Sequence, residues 1–322
     1  MYFNKKNNFF HGIMFHHFHD DKLHTKSQGS ISRDDLYKMI KFIGKKNIIN
    51  ADIFFDKLRN NKLKKNEVCL TFDDAIKSQV DIALPVIEDL RIKSFFFVYT
   101  SIFEGKPDLL EVFRYFRMNF FDSVDQFYLN FYEILDENLS DFFKSKKMKI
   151  SSIKRRCPHY SYEDIKFRLI RDIYLDKTQY EKIMIDMMKE RKFKFEKFYS
   201  ILFFNKDDLK KIDALGHLVG LHSHSHPTSL EKLNYDKQKN EYKKNLSLIS
   251  KILNKPHNKI EYMSHPCGSY NANTLKILRE LNISLGFKQT MKFEPERNMK
   301  KINNSLLEIA REDHSMIFKR MK

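Results

Sequence analysis

The sequence predicts an α/β fold built on a parallel sheet and interrupted by a helical insertion. Three observations carry that expectation. Three apolar runs each end in a polar cluster: Val68 to Phe72 at Asp73-Asp74, Leu218 to Leu221 at His222-Ser223-His224-Ser225-His226, and Ile260 to Met263 at Ser264-His265-Pro266-Cys267-Gly268. Strand ends that deliver polar groups to the rim of a sheet are where α/β folds place ligands. Such runs alternate with stretches of helical periodicity, the pattern of a parallel sheet. Between Asp74 and His222, finally, lies far more chain than the roughly 30 residues of a βαβ unit, and strand signals fade over residues 104–200.

The elements follow in order. Gly12 to His16 reads as the first strand, with Phe15-His16-His17 at its end. Ser32-Arg33-Asp34-Asp35 has the form of a capping box, and Leu36, Met39, Ile40 and Ile43 follow at helical spacing. After the strand Val68 to Phe72, Val80, Leu84 and Ile87 suggest a helix that Pro85 should interrupt. Ser94 to Tyr99 is a second buried strand with three consecutive Phe. In the insertion, Ser161 and Thr178 read as caps of two helices, and Met184, Met187 and Met188 as core filler. From Asn205 the alternation returns. A capped helix stops near Gly216, and the strand Leu218 to His222 and a long polar helix with Leu246, Ile249 and Leu253 follow. The strand Ile260 to Met263 comes next, then a helix capped by Asn271 or Asn273. Ser284 to Lys288 and Leu306 to Arg311 read as the last strands.

Composition bounds the function. The chain has 322 residues, 42% of them hydrophobic, enough for a barrel-sized domain and an extra piece. No apolar run reaches the ~18 residues of a membrane span. Met1 to Phe10 is Lys/Asn-rich and lacks a clean apolar segment after it, so no secretory signal is expected. Cys69, Cys157 and Cys267 are odd in number and unpatterned, which fits a reducing, cytoplasmic setting. The net charge of +17 suits a phosphorylated or nucleotide-linked substrate, a nucleic acid or an anionic membrane face, or is surface Lys and nothing more. No nucleic-acid-binding signature accompanies it, so a nucleic-acid partner is not expected, whereas peripheral membrane contact stays open.

The polar clusters have a possible joint chemistry. Asp73 or Asp74, with two of His222, His224 and His226, would offer a carboxylate and two imidazoles, a ligand set that leaves a position open on a divalent metal. If the chain coils after the strand, His222 and His226 share a side and His224 points elsewhere. If it runs straight, all three His share a face. A solvated acidic strand end and a solvated His-rich loop are the plain alternatives.

The ordered clusters resemble the NodB-homology polysaccharide deacetylases. Thr71-Phe72-Asp73-Asp74 is similar to that family's first motif, and His222, Ser223 and His226 to its second. Pro266 and Gly268 match part of its third. The resemblance implies a distorted, incomplete (β/α) barrel formed by residues 1–103 and 201–322, with 104–200 as the helical insertion. It implies a hydrolase of carbon–nitrogen bonds that removes an N-acetyl group from a sugar. Its metal would be zinc first, with Co, Ni or Fe compatible. It assigns Asp74, His222 and His226 to the metal, Asp73 to the general base, and the backbone N–H of Cys267 to the oxyanion. The motif-three Arg is replaced by Ser264, with His265 or Arg311 as substitutes. The late Leu-x-His is indistinct, so His314, His16 or a water is the acid. The substrate expected is an N-acetylated sugar or saccharide, a cytoplasmic intermediate of glycan or lipid-linked saccharide assembly, with phosphorylated and nucleotide-linked forms left open. Rival readings are a hydrolase of another amide or ester, a non-catalytic glycan binder and a basic nucleic-acid binder.

Overall fold

Among the described residues seven strands form one all-parallel sheet in the order β6-β5-β4-β3-β2-β1-β7. They are β1 (His11–Phe15), β2 (Val68–Phe72), β3 (Phe95–Val98), β4 (Leu218–Leu221), β5 (Tyr262–Ser264), β6 (Leu285–Phe287) and β7 (Arg311–Asp313). The structure, a computed structural model, describes residues 2–4, 7–135, 139–156 and 160–321, and Cys157 lies outside them. The chain divides into two units, one of Met1–Phe18, Ile31–Asp108 and Phe203–Lys322, the other of His19–Ser30 and Leu109–Leu202. No helix among the described residues is long and apolar enough to cross a membrane.

The sheet of the first unit curls into a nearly closed barrel. β1 and β2 pair in register from His11↔Val68 to Phe15↔Phe72. The sequence places the last strand at Leu306 to Arg311, but the strand proper begins only at Arg311. The residues before it serve the other edge. The N–H of Gly286 donates to the Leu306 carbonyl at 2.8 Å, and that of Ile309 to the Gly286 carbonyl at 2.9 Å. Ile309 also bridges Phe287. One short segment thus meets β6 first and β1 second, which nearly closes the barrel.

Parallel strands covered on both faces read as continuous apolar runs, and Phe95-Phe96-Phe97 shows how both faces are used. Phe95 and Phe97 join Cys69, Leu285, Phe287 and Ile309 in one core. Phe96 turns the other way and stacks on Phe72 at 4.7 Å. The helix Ala51–Arg59 adds Phe54, Phe55 and Leu58 to the core. It enters at the start of the strands, where the N–H of Ala51 donates to the Lys93 carbonyl. The opposite, carboxyl ends of the strands stay available for polar groups.

Local chemistry sets the helices. Ser32 and Asp35 form the expected capping box, as do Asn205 with Asp208 and Asn271 with Thr274. Pro85 does not break its helix. A wide π-turn at Gln79–Ala83 precedes Leu84–Asp89, where Pro85 sits in the first turn and its missing N–H costs little.

In the second unit Ser161 caps Tyr162–Leu169 as expected. The next cap is Asp176, not Thr178. Gln179 returns a bond to the Asp176 N–H, so the helix starts earlier and encloses Thr178. Phe116, Phe127, Phe131, Phe167, Tyr180 and Met184 are buried there. The buried Asp164 carboxylate accepts from Tyr128 Oη at 3.0 Å and Arg168 Nε at 2.8 Å. Nothing in the sequence of residues 19–30 signals that they belong to this unit.

The β6 closure generates a stability prediction. A Cβ on Gly286 would lie 2.7 Å from the Leu307 carbonyl oxygen and 2.9 Å from its Cα, both fixed backbone atoms. Gly286→Ala is expected to cost about 1–3 kcal/mol, as overpacking does. Urea unfolding reads this, and an unchanged midpoint would show that the seam yields.

Candidate metal centre

Two turns build the site at the carboxyl ends of β2 and β4. After β2 the chain passes through two left-handed residues, Asp74 (φ 74°) and Ala75 (φ 51°). Such backbone is uncommon for side-chain-bearing residues other than Asn and Asp. Gln79 holds the turn, its Nε2 donating to the carbonyls of Asp73 at 2.6 Å and His16 at 2.9 Å. The turn sends neighbouring carboxylates apart. Asp73 meets Arg311, whereas Asp74 meets His222 and His226.

After β4 the chain coils. Ser223 (φ 62°) and His226 (φ 55°) are left-handed, and the His226 N–H donates to Ser223 Oγ at 3.1 Å. The rings of His222 and His226 come to lie 5.0 Å apart. His224 turns away, its Nδ1 3.0 Å from Thr100 Oγ1 and its Nε2 3.4 Å from Glu104. Of the two sequence alternatives, the coiled turn is the one adopted.

Asp74, His222 and His226 each offer a ligand atom within 4.8 Å of the others. Asp74 Oδ1 is 3.1 Å from His222 Nε2 and 3.3 Å from His226 Nε2. The opposite ring nitrogens fix the tautomers. His222 Nδ1 is 2.9 Å from the Ser264 carbonyl oxygen, which only accepts, so Nδ1 carries the proton. His226 Nδ1 is 2.8 Å from Asp108 Oδ2 and donates likewise. In the neutral rings both Nε2 lone pairs therefore converge on a carboxylate oxygen. That oxygen is buried and has no hydrogen-bond donor. Three acceptors facing one point fit a divalent cation, and these residues fit the metal expected. Burial would raise the Asp74 carboxyl, but the His226 and His222 rings outweigh it and hold its pKa well below the usual range. Burial disfavours a charge on His226, yet the Cys267 sulfur and the carboxylates of Asp74 and Asp108 raise its proton affinity well above normal. The crowding of negative charge that draws a proton is also what draws a metal ion.

Asp73 is buried against Arg311, its Oδ1 2.7 Å from Arg311 Nη1. Burial alone would raise its pKa, but the Arg311 charge and the His222 and His16 rings lower it. Arg311 is 1% exposed, and its Nε donates to the Lys288 carbonyl at 3.0 Å. Gly12 leaves the room it needs, since a Cβ there would lie 3.0 Å from Arg311 Cγ. His265 does not take this place. Its Nε2 bonds the Leu307 carbonyl, its ring stacks on Tyr270 at 4.1 Å, and burial lowers its pKa to about 3.

His16 Nε2 lies 3.8 Å from Asp74 Oδ2, within the cluster. His314 lies behind β1, its ring stacked on Phe15 and its Nδ1 3.2 Å from the Met14 carbonyl oxygen. Cys267 occupies the turn Pro266–Gly268 in left-handed conformation (φ 52°), with its side chain exposed. Arg297 holds that turn through the carbonyls of Tyr270 and Gly268. Sequence reasoning missed two contributors. Asp108 follows Lys106-Pro107 with no motif around it, and Ser264 reads only as a lost Arg.

The polysaccharide deacetylase family model matches residues 172–286, which include His222, His226 and Cys267 but not Asp73, Asp74 or Arg311. Solved structures share the barrel fold. The Streptococcus pyogenes deacetylase PplD in complex with acetate has TM-score 0.54 at 17% identity, covering 94% of this chain and 90% of that one. IcaB from Ammonifex degensii has TM-score 0.53 at 15% identity, covering 94% and 91%. The fold is that of the NodB-homology deacetylase barrel, and the family model covers residues 172–286 of the chain. A de-N-acetylase from Aggregatibacter actinomycetemcomitans matches the deacetylase fold with TM-score 0.54 at 11% identity, covering 97% of this chain and 99% of that one. No curated protein matches the sequence.

The buried Asp73–Arg311 ion pair gives the second prediction. Arg311→Met strands a buried carboxylate and is expected to cost about 3–5 kcal/mol. Adding Asp73→Asn should recover part of that loss, since the uncompensated charge goes with it. A double-mutant cycle in denaturant checks this, and strict additivity would show that the pair is not coupled.

Proposed function

We propose that the protein is a metal-dependent N-deacetylase of an N-acetylated saccharide. What carries this reading is the convergence of Asp74, His222 and His226 beside a separately paired, ionised Asp73. Asp74, His222 and His226 would hold a divalent ion, zinc by the donor set and Co, Ni or Fe by the same tolerance. Such an ion supplies Lewis acidity, acidifying water and polarising an amide carbonyl.

The chain's own groups do the rest. Asp73, kept unprotonated by Arg311, accepts the proton of the water that attacks the acetyl carbon. The Cys267 N–H faces the oxyanion as the C–O bond forms. Here only the backbone is used, so an aromatic side chain at this position is dispensable. His16, within reach of Asp74, is better placed than His314 to protonate the leaving nitrogen as the C–N bond breaks. Acetate and the free amino sugar result. The net charge of +17 favours a saccharide with a phosphate, as a phosphorylated, nucleotide-linked or lipid-linked sugar would present.

Side-by-side variants test the division of labour. Asp73→Asn should keep about one divalent ion per chain and lose acetate release by at least the ~10²-fold typical of general-base catalysis. Asp74→Asn and His226→Ala should lose the metal, with Asp74→Asn partly restored by excess ion. Metal analysis and acetate assay on an N-acetylated saccharide panel read both. If Asp73→Asn sheds the metal while Asp74→Asn keeps it, the roles are reversed. Stable metal without turnover on any amide would favour a non-catalytic glycan binder.

A further inference from the structure

The two imidazoles of the centre are oriented by groups of different charge. His222 Nδ1 faces neutral oxygens, the Ser264 carbonyl at 2.9 Å and Ser264 Oγ at 2.7 Å. His226 Nδ1 faces a carboxylate, Asp108 Oδ2 at 2.8 Å. Asp108 stands on a loop tied to the His226 turn. The N–H groups of Thr100 and Ser101 both donate to the His224 carbonyl, at 3.1 and 2.9 Å. The Asp108 N–H donates to Tyr99 Oη at 3.1 Å, and the Tyr99 ring lies 5.3 Å from that of His226. Tyr99 thus walls the imidazole and anchors the carboxylate that orients it.

We propose that Asp108 is the positioning residue of the metal centre: its charge, accepting the Nδ1–H of His226, fixes that ring and strengthens Nε2 as a donor. A carboxylate behind a ligating histidine raises ligand basicity and holds the tautomer, and losing such a partner typically weakens metal binding by about 10–100-fold. The inference rests on the metal reading above, because it concerns how strongly that ion is held. Ser264 does the same for His222 without charge. Asp108 therefore sets the affinity of the site more than Ser264 does.

The test is zinc affinity of the full chain, measured by competition with a chromophoric chelator, alongside the absorption spectrum with bound Co²⁺. Asp108→Asn keeps the shape and an acceptor oxygen but removes the charge. It is expected to bind zinc about 10–100-fold more weakly, with a shifted Co²⁺ spectrum at saturation. Asp108→Glu should recover part of the affinity. Ser264→Ala, which keeps the backbone carbonyl, should lose less than Asp108→Asn. Glu104→Gln, a charge loss beside His224 rather than His226, should stay within about twofold, since its carboxylate does not orient a ligand. The Co²⁺ spectrum separates a change at the ion from a loss of fold, which thermal unfolding in chelator monitors. Should Asp108→Asn unfold, Asp108→Glu decides: wild-type affinity with an unshifted spectrum supports the charge assignment, and a loss of affinity greater than that of Ser264→Ala overturns it. A wild type that binds zinc and an Asp108→Asn that binds it equally well would overturn the Asp108 assignment and leave the metal reading standing. A wild type that takes up neither ion would overturn both.

Discussion

Two adjacent carboxylates at one strand end stay ionised only if each finds its own positive partner. That constraint organises the first unit. Asp73 and Asp74 follow β2, and side by side in a straight strand they would face opposite ways without regard to partners. The left-handed turn at Asp74 and Ala75 lets Asp73 reach Arg311 from β7 while Asp74 faces the imidazoles after β4. Taking Asp73 out of water costs several kcal/mol, and a guanidinium at hydrogen-bond distance with its own Nε bonded to Lys288 offsets it. The pair also explains why the barrel closes as it does. Arg311 reaches Asp73 only because residues 306–309 are bound to β6 and release the chain to β1 at Gly12.

The same economy appears at the imidazoles. Position 264 carries Ser, whose hydroxyl joins its backbone carbonyl at His222, while the cation that steadies Asp73 comes from another strand. What the Asp73 carboxylate requires is a buried positive charge in the right direction rather than a fixed position in the chain, and Arg311 supplies it. A motif that reads as decayed in sequence is therefore compatible with an intact electrostatic arrangement.

The lining of the barrel separates stability from chemistry. Phe95, Phe97, Phe287 and the helix Ala51–Arg59 fill its interior and the amino-terminal end of its strands. The polar groups gather at the other end, on turns whose left-handed residues are held by side-chain bonds from Gln79, Ser223 and Asn245. Strained backbone persists where surrounding bonds over-determine it, and here it aims ligands.

The strands that end in Asp73-Asp74, His222-Ser223-His224-Ser225-His226 and Ser264 to Gly268 are legible from the amino-acid order alone. Apolar runs and caps are local signals, and a strand end next to its ligand is local too. The caps at Ser32, Ser161 and Asn205 were legible for that reason, whereas the choice between Asn271 and Asn273 fell to the structure, which uses Asn271. Thr178 misled because Asp176, two residues earlier, has the stronger acceptor and a reciprocal Gln179. Which cation serves Asp73 emerges only on folding, because Arg311 and Asp73 are 238 positions apart and meet through barrel closure. Folding alone selects the coiled turn that separates His224 from its neighbours, and it alone places Asp108 behind His226. Those contacts depend on loops from different strands being stapled together, and no periodicity or spacing within one segment records that.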